Sequence, residues 1–393
     1  MTVSPVLILM GARQTGKSTL VRSEESLRNH LYLTLDDLAV AERAVRAPDE
    51  LLRAAPRLII DEVQRQPSLI LAIKRAIDAE RPRTPGRFVL TGSANLLLMP
   101  RISETLAGRA TYLTLWPMTR REKLGLQSAG IWSELLASPR EEWLDIIKSQ
   151  TVAPADWRDE ALTGGYPTPA LALQNAEQRT IWFDGYVRTY LERDLQDLAA
   201  IDNLLDFRRL MKAAALRVGN LLNQAELGRD TAIARPTVHR YLNLLETSYQ
   251  AVRLQPYSVN RTKRIIKSPR LFWGDTGLAL HLGGATEPSG SHLENLVLTD
   301  LLAWRDAQIP QPEVLYWRTT TDLEVDFVVE QRSKLLAVEV KATTKPSRGD
   351  VRSLTEFRDE YGKKFHGGLL LHAGHDVQWI ADGILALPWH RVI

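Results

Sequence analysis

The stretch Gly11-Ala-Arg-Gln-Thr-Gly-Lys-Ser18 decides the fold of the first third of the chain. It fits the pattern G-x-x-x-x-G-K-[ST], and it stands between an apolar, strand-like run at residues 6–10 and a helix-forming run. The glycines permit a tight loop whose N–H groups face phosphate, and the following helix directs its positive end to the same point. The residues predicted to bind a nucleotide are Gly11, Gln14, Thr15, Gly16, Lys17, Ser18 and Thr19.

An acidic pair follows the third strand-like run, in Leu58-Ile-Ile-Asp61-Glu62. With Mg²⁺ held by the Ser18 hydroxyl and Asp61, Glu62 is predicted to orient or deprotonate the water that attacks the γ-phosphate. Lys17 would hold charge on the phosphates. A solvated loop is the alternative for the acidic pair, but its position after the first strand and helix favours catalysis.

Short β-rich runs alternate with helix-like stretches from residue 1 to about residue 115, which predicts an α/β fold with a parallel sheet. From about residue 116 to 282 the periodicity is mostly helical, as in a predicted helix over residues 181–198. After a turn-rich stretch at 283–291, one helix and several strand-like runs predict a second, smaller α/β domain.

Composition excludes several classes of protein. The 393 residues contain no cysteine, which rules out disulfides, thiolate zinc sites and cysteine nucleophiles, and is compatible with a reducing cytoplasm. The longest apolar runs fall far below the roughly 18 residues of a membrane span, so we expect a cytoplasmic chain without a membrane partner. The start MTVSPVLILM has no basic region and is interpreted as a strand.

The formal net charge of +3 conceals an uneven distribution of charge. Between Leu205 and Arg270 there are 13 Lys or Arg and 4 Asp or Glu, a local charge of 13 − 4 = +9. Residues 223–228 and 235–246 have the spacing of a helix-turn-helix, and 251–256 with 270–273 that of a wing. We predict that this basic segment contacts nucleic acid, and DNA in preference to RNA. The alternative is that it forms a lid or a module that contacts protein. The groove would be read by Thr237, His239 and Arg240, and the wing cations would be Arg261, Lys263, Arg264 and Lys267.

Carboxylates and a lysine form a second candidate site near the carboxyl end. Alternation along a strand puts Glu339 and Lys341 on one face, a hairpin would bring Asp326 beside them, and Glu294 lies on the preceding helix. Three acids that bind Mg²⁺ or Mn²⁺ and a catalytic lysine suit phosphodiester cleavage. The pattern is similar to the D…E-x-K restriction-endonuclease-like core. A salt-bridged hairpin, or a fold that binds without cutting, remains the alternative.

GARQTGKSTL, LIIDEVQ, FVLTGSANLL and LAGR, in this order, resemble the bacterial and archaeal AAA-type P-loop ATPases that carry an uncharacterised C-terminal domain. Gly164-Gly-Tyr-Pro167 and the helix at 190–194 also fit that family. The resemblance implies ATP and Mg²⁺ as cofactors, a sensor at Ser93 or Thr91, and an arginine, Arg109, that acts across the subunit boundary of a homo-oligomer. The alternative role of Ser93 is to cap a helix. The alternative for Arg109 is a surface ion pair with Glu104. Since only six residues separate Ser4 from Gly11, ATP over GTP rests on the resemblance alone.

The leading hypothesis is a Mg²⁺-dependent ATPase coupled to a nucleic-acid-binding and nuclease-like C-terminal module. The alternative is a non-cleaving, ATP-gated switch for a protein or DNA partner. The predicted domains are the ATPase domain at 1–118, a helical linker at 119–204, a winged-helix-like domain at 205–282 and a restriction-endonuclease-like α/β domain at 283–393.

Overall fold

The computed structural model describes residues 3–92, 105–126, 129–189, 201 and 203–393. The chain divides into two compact units. The first comprises Met1–Trp116 with Leu244–Gln250, and the second comprises Pro117–Asn243 with Ala251–Ile393. The predicted Ser93 sensor and the helix at 190–194 lie outside the described residues.

A five-stranded parallel sheet forms the centre of the first unit, as the alternating pattern predicted. Its strands are β1 Val6–Met10, β2 Leu31–Thr34, β3 Leu58–Asp61, β4 Phe88–Thr91 and β5 Ala110–Thr114. Their order is β2-β3-β4-β1-β5, and every neighbouring pair is parallel. The carboxyl ends of β1 and β3 therefore open on the same edge of the sheet, where ligands bind in open α/β sheets.

Helices cover both faces of this sheet. They are α1 Lys17–Ser23, α2 Leu38–Arg46, α3 Pro48–Leu51 and α4 Leu69–Ala79. On one face, Ile8, Ile60 and Leu90 share a buried core with Ile73 of α4, whose apolar residues recur at helical spacing. On the other face, Ile59 and its neighbours pack with Val21 of α1. The two cores hold the strands, and with them the loops that follow β1 and β3, in place.

The middle of the chain is helical, as the sequence pattern predicted. Its helices are α5 Arg120–Lys123, α6 Trp132–Ala137, α7 Trp143–Ser149, α8 Trp157–Thr163, α9 Ala176–Tyr186, α10 Leu204–Ala215, α11 Gln224–Thr231, α12 Arg235–Thr247, α13 Arg261–Ile266 and α14 Thr276–Gly283. The C-terminal part adds α15 Gly290–Asp306 and α16 Arg352–Tyr361. The first part of the helix predicted over 181–198 lies in α9, which ends at Tyr186, and residues 190–198 lie outside the described residues. No helix in the described part of the chain is both long enough and apolar enough to cross a bilayer.

The second unit contains two sheets. In the smaller sheet, β6 Ala251–Leu254 pairs antiparallel with β7 Arg270–Trp273, and α13 lies in the connection between them. The larger sheet has six strands in the order β12-β13-β11-β10-β9-β8. These strands are β8 Glu313–Arg318, β9 Glu324–Gln331, β10 Lys334–Lys341, β11 Phe365–His372, β12 Gln378–Ala381 and β13 Ile384–Pro388.

The six-stranded sheet is mixed. The pairs β8–β9 and β9–β10 are antiparallel, whereas β10–β11 and β11–β13 are parallel. Leu354 and Phe357 of α16 are fully buried in one core with Val328 and Ala337 of the sheet. The strands and helices predicted near the carboxyl end form a sheet of their own, and its antiparallel β9–β10 pair places Asp326 near Glu339 and Lys341.

Asp300 is a carboxylate buried in the second unit, on α15. Its oxygens accept hydrogen bonds from the backbone N–H of Gly130, at 3.0 and 3.2 Å, and from Trp132 Nε1, at 2.6 Å. Burial raises the pKa of Asp300 to about 7, although these donors oppose the rise. Since the folded state then holds its proton more tightly than the unfolded chain, the buried carboxylate lowers stability as pH rises from about 4 to 7.

An Asp300→Asn variant keeps an oxygen acceptor for Gly130 and Trp132 and removes the buried charge. We expect its Tm to exceed that of the wild type by several degrees at pH 8, and the difference to vanish as pH falls toward about 4. Calorimetry of the full chain between these pH values measures this. The control is Asp382→Asn, at a side chain 93% exposed, which should show no such trend. A pH-independent gain for Asp300→Asn would contradict the explanation.

Candidate functional site

The loop that follows β1 leaves little room for side chains. Gly11 has φ of 145°, and a Cβ at this position would overlap the carbonyl oxygen of Leu115. Leu115 is fixed there because its N–H donates to Met10 O at 2.7 Å. Gly16, with φ of 95°, is the N-cap of α1, and no side chain among the described residues caps that end. The first N–H groups of α1 are therefore available to an anion.

Lys17 is buried and folds back over the loop. Its Nζ donates to Ala12 O at 2.7 Å and to Gly11 O at 3.2 Å. Burial lowers the pKa of Lys17 to about 8, opposed by the charges of Glu62 and Asp61. Thr15 is also buried and donates to Ala12 O at 3.0 Å. A phosphate in the loop would offer the Lys17 ammonium stronger acceptors than these carbonyls.

The other predicted loop residues point outward or remain accessible. Gln14, with φ of 63°, and Thr19 are exposed, and Ser18 is partly buried at the start of α1. Ser18 follows Lys17 at the start of α1, and its role as a Mg²⁺ ligand remains a prediction. Direct phosphate contacts by the Gln14 and Thr19 side chains remain predictions.

Asp61 ends β3, and two hydroxyl groups from neighbouring strands bind its carboxylate. Tyr32 of β2 donates to Oδ2, and Thr91 of β4 donates to Oδ1. Burial, then the bond and charge of Asp61, raise the pKa of Tyr32, and Arg22 lies 4.1 Å from the centre of its ring. Tyr32 escaped the sequence analysis because only the strand order reveals that β2 adjoins β3.

Glu62 is the next residue and has a left-handed backbone, with φ of 56°. This conformation is unusual for a residue other than glycine and occurs often at functional sites. Its carboxylate accepts a hydrogen bond from Gln64 Nε2. The roles predicted for Asp61 and Glu62 remain predictions.

These residues fit ATP and Mg²⁺. The loop has no room for a side chain at Gly11, and its N–H groups can bind phosphate. Lys17 supplies a cation. Ser18 and Asp61 supply oxygen ligands of the type that Mg²⁺ prefers. Thr91, the alternative sensor, is bound to Asp61. Arg109 forms a two-point ion pair with Asp78, with Nε and Nη2 each 2.8 Å from the carboxylate. Action across a subunit boundary would require Arg109 to leave this ion pair.

The basic segment contains the predicted pair of helices, α11 and α12. A Cβ at Gly228 would lie 2.8 Å from Ile233 O, and Ala232 has φ of 54°, so the turn between the helices is tight. On α12, Val238 is buried, whereas His239 and Arg240 are exposed and Thr237 is partly buried. The side chains predicted to face nucleic acid are thus on the accessible side of α12.

One of the predicted surface cations is buried instead. Arg264, placed by the sequence analysis at a wing tip, lies in α13 and pairs with Glu313 and with Glu330 at 2.7 Å. Arg270, which the sequence analysis placed in the last strand of the basic segment, is also buried, among acids of the C-terminal domain. The interpretation of Arg264 as a free phosphate contact is therefore wrong, because the acids that neutralise it come from a later part of the sequence.

The C-terminal carboxylates and the lysine come together as predicted, but around Arg270. Its Nη2 lies 2.5 Å from Glu294 Oε2, and its Nη1 lies 3.1 Å from Asp326 Oδ1 and 3.0 Å from Glu324 Oε1. Lys341 Nζ lies 2.5 Å from Glu339 Oε1. Arg270 and Glu324 were missed as members of the cluster, since the arginine is 56 positions from Asp326 in sequence.

Burial and the neighbouring charges shift the pKa values of several residues in this cluster. Burial, then the charge of Asp326, raise the pKa of Glu294 to about 8, and the same two causes raise the pKa of Glu339 well above its usual value. Burial works against the charge of Arg270, but Glu294, Asp326 and Glu324 outweigh it and raise its pKa. The acids thus hold the guanidinium firmly in its charged form.

A metal ion does not fit this cluster as the structure has it. The oxygens of Asp326 are engaged by Arg270 and by the Val340 N–H, at 2.9 Å, and one oxygen of Glu339 is engaged by Lys341. Within the described ranges, no group of three or more His, Asp or Glu side chains is arranged to hold a metal. The metal-ligand roles predicted for Glu294, Asp326 and Glu339 conflict with this geometry, because a cationic side chain already occupies the position.

The Gly164-Gly-Tyr-Pro167 motif has a packing role. A Cβ at Gly164 would lie 2.5 Å from Asp275 Oδ1, and the N–H of Gly165 donates to Asp275 Oδ2 at 2.6 Å. The hydroxyls of Tyr166 and Tyr186 lie 3.0 Å apart in the interior. The two glycines therefore allow the backbone to approach a buried carboxylate and satisfy it.

Three family models match successive parts of the chain. The family described as "AAA domain" matches residues 3–124, and two families described as domains of unknown function, DUF8612 and DUF4143, match residues 154–289 and 289–392. An uncharacterized protein of Mycobacterium tuberculosis is 31% identical over 352 residues, which cover 88% of this chain and 72% of that protein. An uncharacterized protein of Haemophilus influenzae is 20% identical over 401 residues, 96% of this chain and 92% of that one. Among solved structures, the Walker-type ATPase PABY2304 of Pyrococcus abyssi matches with a TM-score of 0.42 and 17% identity, over 71% of this chain and 91% of that one.

A Gly11→Ala variant tests the close approach of the loop to Leu115. We expect a loss of about 1–3 kcal/mol in stability, because of the overlap and the backbone strain, and nucleotide binding weakened at least ~10-fold. Thermal unfolding and binding of a fluorescent ATP analogue measure these effects. The control is Gly108→Ala, whose φ of 69° is also positive but whose Cβ would meet no described atom within 4 Å. Equal losses in the two variants would exclude the overlap as the cause.

Proposed function

Since the chain belongs to the family of AAA-type P-loop ATPases that carry a C-terminal domain of unknown function, we propose that it binds ATP with Mg²⁺ and hydrolyses it. The observation that carries the proposal is the arrangement at one edge of the first sheet. A loop shaped for phosphate, a buried lysine, and the Asp61–Glu62 pair all follow β1 or β3 there.

In the proposed mechanism, the loop N–H groups bind the phosphates, and Lys17 exchanges its bonds to Ala12 and Gly11 for phosphate oxygens. Ser18 and Asp61 would hold Mg²⁺, which supplies positive charge against the phosphate oxygens when bound. Tyr32 and Thr91 orient the Asp61 carboxylate through their hydroxyl groups. Glu62 accepts a proton from the attacking water, and release from Gln64 would free it for this task.

Replacement of Glu62 by Gln keeps its size and removes its basicity. We expect Glu62→Gln to lower kcat by about 10²–10⁴, with ATP affinity retained, because a general base acts in the transition state. Lys17→Ala should instead weaken ATP binding, since Lys17 holds charge in the bound state. Phosphate release and equilibrium binding of ATP separate the two effects.

The matched control for Glu62 is Glu42→Gln, on exposed helix α2, which should change neither quantity. Unchanged phosphate release in both Glu62→Gln and Lys17→Ala would show that hydrolysis does not occur by this mechanism.

For the second unit, we propose that α11, α12 and the β6–β7 hairpin form a winged-helix-like module that binds nucleic acid. The exposed residues His239 and Arg240 of α12, with Arg235 at its start, form the proposed contact surface. DNA is favoured over RNA because its major groove admits a helix. The ion pairs of Arg270 favour a module that binds nucleic acid without cutting it, under the control of ATP, over a nuclease. A protein is the alternative partner of such an ATP-gated switch.

The proposed contact surface predicts a dependence of binding on salt. With a duplex DNA probe, the plot of log K against log salt should be linear. Arg235→Ala and Arg240→Ala should each reduce its slope by about 0.9 for every phosphate that the variant no longer neutralises. Fluorescence anisotropy measures both quantities. Lys363→Ala removes an exposed cation of the C-terminal domain and should leave the slope unchanged. A flat binding curve between low and moderate salt would rule out phosphate recognition.

A further inference from the structure

The carboxylates of Glu294, Glu324 and Asp326 converge on the Arg270 guanidinium. We propose that this guanidinium takes the place of a divalent cation, so that the C-terminal domain has the side chains of a metal-dependent nuclease but binds no metal there and does not cleave. The inference deepens the non-cleaving function proposed above and rests on it. It is independent of the ATP hydrolysis proposed for the first unit.

The positions of the donors leave no place for a metal ion. Arg270 contacts Glu294 Oε2 at 2.5 Å and Asp326 Oδ1 at 3.1 Å, and Val340 N–H contacts Asp326 Oδ2 at 2.9 Å. Mg²⁺ requires nearly octahedral oxygen ligands at about 2.0–2.1 Å. A metal bound to Asp326 and Glu294 would therefore stand in the space of the guanidinium, and the two cations would repel each other.

Arg270 is also held in its position by the backbone around it. Its Nε donates to Gly219 O at 2.6 Å, and the neighbouring Leu271 exchanges backbone hydrogen bonds with Gly219, at 2.7 Å, and with Asn220, at 2.9 Å. On its other side β7 pairs with β6. Because β7 is hydrogen-bonded along both edges, the backbone that carries Arg270 is held next to the acids.

Each acid of the cluster has a cationic side chain as a partner in the absence of a metal ion. Arg270 and Lys341 provide two cations among the four acids, which are Glu294, Glu324, Asp326 and Glu339. A buried carboxylate without a partner is costly, and here the two cations supply ion pairs to each acid. Lys341, which metal-assisted cleavage would direct at water or phosphate, is instead paired with Glu339 at 2.5 Å.

The first unit provides an internal comparison. The carboxylate of Asp61 accepts hydrogen bonds from the neutral hydroxyls of Tyr32 and Thr91, so its negative charge is oriented but not cancelled by these donors. Asp326 instead accepts from a guanidinium. The side-chain donors to Asp61 are thus neutral, whereas the side-chain donor to Asp326 is a cation.

The test measures Mn²⁺ binding to the full chain by electron paramagnetic resonance, without nucleotide. All variants carry Asp61→Asn, which removes the carboxylate of the phosphate-binding loop. With Arg270 present, we expect no Mn²⁺ site that depends on Asp326. Arg270→Met, which keeps the length of the side chain without its charge, should create one Mn²⁺ site that is absent with Arg270 present, and a further Asp326→Asn should weaken binding at this site at least ~10-fold.

The matched control is Arg264→Met, which removes the other buried arginine with two acidic partners and should create no Mn²⁺ site. A folded Arg270→Met variant that gains no site would overturn the proposal. So would Mn²⁺ binding, or Mg²⁺-dependent DNA cleavage, that occurs with Arg270 in place and is lost in Asp326→Asn.

If circular dichroism shows that Arg270→Met does not fold, the test is the comparison of Mn²⁺ binding with and without Asp326→Asn in the protein that retains Arg270. Mn²⁺ binding unchanged by Asp326→Asn supports the proposal, and weakening of ~10-fold or more overturns it. Because no nucleotide is present, a failure of the proposed ATPase mechanism would leave this result unaffected.

Discussion

The ion pairs of Arg270 hold the second unit together at the point where its small hairpin meets its large sheet. One guanidinium from β7 reaches Glu294 on α15 and both Glu324 and Asp326 on β9. Removal of one partner from such a buried pair typically costs about 3–5 kcal/mol, because the remaining charge is left in a poor solvent. The position of the basic segment against the C-terminal domain, and the state of its acidic cluster, both depend on this contact.

The same requirement, that buried charge be paired or hydrogen-bonded, distinguishes the two candidate sites. At the phosphate-binding loop, Lys17 rests on backbone carbonyls and Asp61 on hydroxyl groups. These neutral partners can yield to a charged ligand. In the C-terminal cluster the partners are themselves charged, so a ligand would have to displace an ion pair. A charged ligand can therefore replace the partners of Lys17 and Asp61 more easily than it can displace the ion pairs of the C-terminal cluster.

Much of the first site was accessible from the sequence. Gly11, Lys17, Ser18 and the Asp61–Glu62 pair are local patterns, each attached to a strand whose apolar run is visible in the chain. Tyr32 was not accessible, because its role follows from the adjacency of β2 and β3. The sequence gives the net charge of the basic segment correctly, but it does not show which of its cations are on the surface. Arg264 is directed into the interior by Glu313 and Glu330, which lie 49 and 66 positions away.

By itself, the sequence determined the phosphate-binding loop, the parallel sheet that carries it, the helix pair of the basic segment, and the meeting of Asp326 with Glu339 and Lys341. Each is a local signal, since loops, strand runs and hairpins depend on residues close in the chain. Only the tertiary structure decided what surrounds those acids. The partner of Asp326 is an arginine 56 positions away on another sheet, and charge pairing at that range leaves no periodic trace in a sequence.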